Sequence, residues 1–91
     1  MYYVYFARCQ DNALYIGKTS DLNNRIKKHN SGKGSKFIKQ HGMAKIVYSE
    51  NYNNHLEASR RELQLKKWSR IKKENLIKFG HPKNENYTKK I

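Results

Sequence analysis

Charge and apolarity are separated along this chain, and that separation most constrains how it can fold. Residues 1–17 carry only Arg8 and Asp11, whereas residues 18–45 carry eight Lys/Arg against the lone Asp21. Residues 46–54 hold only Glu50, and residues 55–91 hold eleven Lys/Arg against four Glu. The stretches poor in charge are the ones rich in Tyr, Val, Phe and Ile, so short core-forming pieces alternate with long basic ones. This pattern predicts a small sheet with helices packed on it, an α+β arrangement. A chain of 91 residues makes one small domain, burying roughly 60–65% of the surface it exposes when unfolded. No large enclosed pocket is expected.

The excess of 20 Lys+Arg over 7 Asp+Glu gives a formal charge of +13, which repels itself unless an anionic partner is near. Nucleic acid and an anionic membrane surface are the two candidates. No helix-like segment pairs a basic face with a uniformly apolar one, which argues against the membrane. The longest apolar run, Tyr2–Ala7, is too short for a signal-peptide core or a membrane span. A single cysteine, Cys9, excludes an internal disulfide and fits a reduced, cytoplasmic setting. A monomer is expected.

Tyr2–Arg8 reads as a strand, Cys9–Asn12 as a turn and Ala13–Lys18 as a second strand, so the chain opens with a hairpin. Thr19 or Ser20 is the expected N-cap of a helix running to about Asn30, with Asp21 near its positive end. The segment 33–42 has room for one short helical turn. Ala44–Ser49 is a third strand, followed by helices over Asn54–Ser69 and Ile71–Phe79, the last stopping at Gly80. The expected order is therefore ββ-α-β-α-α around a small three-stranded mixed or antiparallel sheet. Residues 1–80 form the domain, and residues 81–91 read as a flexible basic tail.

On the first helix, Leu22, Arg25, Ile26 and His29 share the core-facing stripe, while Asn23, Asn24, Lys27, Lys28 and Asn30 lie opposite. An arginine in such a stripe needs a partner or a wet, concave site. The plainer alternative is that Arg25 snorkels at the stripe's edge while His29 makes one core hydrogen bond. Tyr3, Tyr5 and Ala7 share a face of the first strand, and Tyr15 and Gly17 share a face of the second. Aromatic cross-strand pairing explains any one of these tyrosines. Trp68, the only tryptophan, reads as core before it reads as a base-stacking platform.

Taken together, these residues resemble the GIY-YIG nuclease domain, and the small stand-alone bacterial members above all. Tyr3-Val4-Tyr5 stands in the place of the first signature, and Tyr15-Ile16-Gly17 matches the second letter for letter. Lys18-Thr19, Arg25 and His29 continue the pattern, and the segment from Ala58 to Lys66 is similar to the family helix whose glutamate binds metal. The resemblance spans roughly residues 2–79. It departs in two places: Tyr3 replaces the glycine of the first signature, and the family's late asparagine is unassigned among Asn75, Asn84 and Asn86.

The resemblance implies a metal-dependent phosphodiester hydrolase. Tyr15 is the implied general base, with Tyr5 positioning water or phosphate. A free tyrosine titrates near pH ~10, so a base needs nearby positive charge from Lys18, Arg25 or metal. Arg25 would grip the scissile phosphate through its fork of donors. His29 would relay a proton or hold Tyr5, the alternative being a structural role. Glu62 is the expected ligand of one Mg2+ or Mn2+ ion, which keeps much of its water and takes few protein carboxylates. Glu57 is excluded, because it stands where a capping box with Asn54 would place it. Lys18, Lys33, Lys36, Lys39 and Lys66 are expected to bind substrate, positioning a strand without reading its sequence. The expected activity is an endonuclease of low sequence specificity, acting on single-stranded or structured DNA, with a setting in DNA repair or recombination. The alternative is a non-catalytic nucleic-acid-binding module that keeps only the basic surface.

Overall fold

The computed structural model describes residues 1–33 and 36–80, and side chains outside residues 32–38. The expected tail, residues 81–91, lies outside the described residues. The elements run β1 (Tyr2–Cys9), β2 (Leu14–Thr19), α1 (Leu22–Lys28), a π-helical turn (His29–Lys33), α2 (Lys36–His41), β3 (Ala44–Tyr52), α3 (His55–Lys66) and α4 (Arg70–Phe79). The expected order holds, and the short helical turn anticipated within 33–42 is α2. The sheet is wholly antiparallel, ordered β2-β1-β3, with Tyr5 opposite Gly17 on one side and Ser49 on the other.

Because β1 is central and covered on both faces, its residues Val4–Ala7 are all buried. One face sends Val4, Phe6 and Ile16 against Ala58 and Leu65 of α3 and Leu76 of α4. The other sends Tyr5, Ala7 and Cys9 against Leu22 and Ile26 of α1, with Ala44 of β3. Two separate cores thus share one sheet, and polar side chains at their margins reach towards the same strand.

Local chemistry sets the element ends. Asp21, rather than Thr19 or Ser20, caps α1: its Oδ1 accepts from the Asn24 amide at 3.1 Å. Thr19 is still strand, and its hydroxyl instead accepts from the Asp21 amide at 3.1 Å, steering the chain out of β2. Asn54 and Ser69 cap α3 and α4 in the same way, and Gly80, at φ 77°, closes α4 by donating its N–H to the Leu76 carbonyl. Glu57 is the capping partner expected, with Asn54 bonded to both its amide and its carboxylate at 2.9 Å. After α1 the helix widens into the π turn, where Asn30 exchanges two 2.8 Å bonds with the backbone of Ala44. That staple fixes the C-terminal end of α1, and hence His29, against the start of β3. Among the described residues no helix is long and apolar enough to cross a membrane.

Candidate active site

The face of the hairpin beneath α1 gathers the two signature tyrosines. Tyr5 is 1% exposed, and its phenol lies across β2 at Gly17. A Cβ at Gly17 would stand 2.5 Å from the Tyr5 hydroxyl oxygen and 2.9 Å from the Tyr15 ring. No side chain fits there, which gives the glycine of Tyr15-Ile16-Gly17 a physical reason. The Tyr5 and Tyr15 rings lie tilted, with centroids 6.2 Å apart.

His29, at the junction of α1 and the π turn, completes the group. Its Nε2 is 3.2 Å from the Tyr5 hydroxyl, and its ring meets that of Tyr15 edge-on at 5.1 Å. Burial pushes the Tyr5 phenol well above its ordinary pKa; Tyr15 and Glu62 add to the rise and Arg25 opposes it. Burial, with Arg25 and Lys28 nearby, holds the His29 imidazole below its ordinary pKa. At neutral pH the pair is therefore a protonated phenol and a neutral imidazole. His29 Nδ1 is buried with no partner among the described residues.

Arg25 lies half-buried one turn before His29, and its charge is felt at both Tyr5 and His29. Among the described residues its guanidinium has no hydrogen-bond or ion-pair partner, so its fork of donors is uncommitted. Glu62 approaches from α3. Its Oε1 is 3.9 Å from Lys18 Nζ and its Oε2 is 3.3 Å from Lys66 Nζ, with 17% of the side chain exposed. Lys18 is held in turn by Ser59, whose hydroxyl oxygen accepts from Nζ at 2.7 Å.

Among the described residues, no three His, Cys, Asp or Glu side chains converge. A single carboxylate still fits a hard divalent ion that draws most of its shell from water and substrate. Glu62 is suited to this, because neither oxygen accepts a hydrogen bond from a described residue.

Tyr5, Tyr15 and His29 thus touch one another, Lys18 and Lys66 pair with Glu62, and the charges of Arg25 and Glu62 are felt at Tyr5. Lys39 is exposed on α2 and takes no part in the cluster's bonds. The side chains of Lys33 and Lys36 lie outside the described residues, as do Asn84 and Asn86; Asn75 is half-buried on α4. Sequence reasoning missed Ser59. Its spacing three residues before Glu62 puts both on one helical face, a signal that was available.

The whole arrangement has known counterparts. A family model described as the GIY-YIG catalytic domain matches residues 1–75. A UPF0213 protein of Clostridium perfringens is 45% identical over 91 residues, 100% of this chain and 98% of its own length. One from Staphylococcus aureus is 42% identical over 77 residues, 85% of this chain and 94% of its own. A UPF0213 protein of Bacillus halodurans, solved by solution NMR, is similar with a TM-score of 0.57 and 41% identity over 98% of this chain and 96% of that one. The chain belongs to the GIY-YIG domain family, a family of nucleases whose members generally depend on a metal ion and act on nucleic acid.

Proposed function

We propose that this protein is an endonuclease that hydrolyses DNA phosphodiester bonds with little sequence specificity, favouring single-stranded or structured DNA. The observation that carries this reading is the contact of Tyr5, Tyr15 and His29 with one another, near enough to Arg25 and Glu62 for both charges to be felt at the Tyr5 phenol. A surface that merely bound nucleic acid would need its lysines and none of these.

The geometry supports one role for each residue. Tyr5 is buried and stays protonated, so it serves as a hydroxyl donor rather than a base. His29 holds that hydroxyl in place through Nε2. Tyr15, half-exposed and braced by the His29 ring, is the group left to take a proton from the attacking water. Arg25 grips the scissile phosphate with its free guanidinium. Glu62 would hold one Mg2+ or Mn2+ ion, which when bound supplies Lewis-acid neutralisation of the phosphate. Lys18, fixed by Ser59, adds positive charge beside the same site.

The test is an incubation of wild type, Arg25→Ala and Tyr15→Phe with end-labelled single-stranded, duplex and branched DNA, in Mg2+, in Mn2+ and in EDTA. Metal-dependent cutting is expected from wild type, with each variant slowed on the order of 10²-fold or more. Full activity in Tyr15→Phe would remove its role as base. Binding without cutting by wild type in every condition would leave the non-catalytic module as the correct reading.

A further inference from the structure

A second feature lies beside this cluster, at the β2 edge of the sheet. Leu14, Tyr15 and Ile16 of β2, with Lys66 of α3 and Lys73 of α4, line a cleft of about 250 Å³. Leu14 and Ile16 make one wall apolar, Lys66 and Lys73 carry the other, and Tyr15 between the two apolar residues turns its ring to the opposite face, against Tyr5 and His29. Tyr15 belongs both to this cleft and to the catalytic cluster, and Lys66 links the two through its 3.3 Å approach to Glu62.

Lys73 reaches the cleft because α4 is pinned there. Leu76 is buried in the core, and the neighbouring Glu74 is clasped by Arg8 at 2.6 and 2.9 Å and by Arg70 at 2.9 Å. The Lys73 ammonium has no hydrogen-bond or ion-pair partner among the described residues, and that of Lys66 has only Glu62. Two cations in a narrow, partly apolar cleft suit one sugar–phosphate unit, and the space is too small for a base pair.

We propose that this cleft is a subsite for the phosphodiester next to the one being cut, gripped by Lys66 and Lys73 while the nucleotide's sugar or base rests on Leu14 and Ile16. The proposal rests on the nuclease reading and adds to it a fixed place for the adjoining nucleotide of a single strand. It makes Lys73, well away in sequence from the signature residues, a substrate-positioning residue. A neutralised neighbouring linkage would leave the two ammonium groups without their partner.

Binding without turnover tests this separately from cleavage. The dissociation constant of a short labelled DNA single strand is measured in EDTA across a salt series, for wild type, Lys73→Met and Lys78→Met. Lys78 lies on the same helix, exposed and outside the cleft. Loss of one phosphate contact in Lys73→Met should lower the magnitude of the log–log salt slope by about 0.7 and weaken binding several-fold at low salt. A set of strands carrying one uncharged methylphosphonate at successive positions should reveal a linkage whose neutralisation weakens wild type and Lys78→Met but not Lys73→Met. Equal effects of the two lysine substitutions, or the same linkage profile in Lys73→Met as in wild type, would overturn the subsite while leaving the nuclease reading intact. Failure of wild type to bind any strand would overturn the subsite, while the nuclease reading is decided separately by the metal-dependent cleavage assay.

Discussion

Two glutamates in this molecule are almost equally buried and very differently partnered. The Glu50 side chain on β3 is 15% exposed and that of Glu62 on α3 is 17% exposed. Glu50 is saturated: Arg61 donates to both its oxygens, at 2.8 and 2.9 Å, and the Tyr48 and Tyr52 hydroxyls donate as well. Burial alone would raise its pKa, but these donors more than offset that and hold it below the ordinary carboxylate value. Glu62 has only two lysines at the distance of a loose ion pair. A carboxylate whose lone pairs are all taken holds a fold together. One with spare oxygens, kept largely buried between two lysines, is open to a further partner.

Exchanging the two losses is the strongest way to break that contrast. Glu62→Gln should slow cleavage on the order of 10²–10³-fold and shift the melting temperature by no more than a few degrees. Glu50→Ala strands the Arg61 guanidinium in a half-buried place and should cost roughly 3–5 kcal/mol, lowering the melting temperature by about 10 °C or more. Calorimetry and a cleavage assay on both variants read the two effects. If Glu62→Gln melts as early as Glu50→Ala, Glu62 is a structural residue and the contrast collapses.

Much of this difference was legible in the chain, and the part that was not has a physical cause. Tyr5, Tyr15, Arg25, His29 and Glu62 could be singled out because strand and helix periodicities, with the family resemblance, put them in order on compatible elements. The Asn54–Glu57 cap was found because it is local. The Glu50 network was invisible: it joins β3 to α3, and its register depends on how α3 settles on the sheet. Arg61 and Glu62 are adjacent in sequence yet serve different carboxylate sites, since successive helical residues point about 100° apart. The cap of α1 was misplaced by one or two residues because strand β2 extends through Thr19, leaving the capping to Asp21. Trp68 does pack against the core as expected, but half-buried, with Arg61 and Lys72 over its ring at 5.2 and 4.3 Å.

A finer cut separates the two sites by their donors rather than their acids. Tyr52→Phe removes one hydroxyl from the charged Glu50 and should destabilise by about 1.5 kcal/mol, with little change in cleavage by the folded protein. Ser59→Ala removes the hydroxyl that holds Lys18 and should do the reverse, slowing cleavage several-fold at nearly constant melting temperature. A stability loss in Ser59→Ala matching that of Tyr52→Phe would mean Lys18 is pinned for the sake of the fold.

The smallest expected effect concerns acid. Glu74, clasped by Arg8 and Arg70, has its pKa pulled down from 4.5 to about 2, chiefly by the hydrogen bond from Arg8, against the opposing effect of burial. The unfolded chain therefore binds the proton first, so this group's stabilisation is present above pH 4.5 and is lost as pH falls towards about 2. Glu50 behaves in the same sense, its lowered pKa making acid destabilising below 4.5. Because the Glu74 side chain is 35% exposed, solvent screening limits its share to about 1 kcal/mol. Glu74→Gln should thus be slightly less stable than wild type at neutral pH and converge with it as the pH falls to about 2, traced by the unfolding midpoint in urea at each pH. Parallel curves with a constant gap would show that the clasp holds α4 by packing and not by charge. The reach of Lys73 into the β2 cleft would then depend on Leu76 rather than on Glu74.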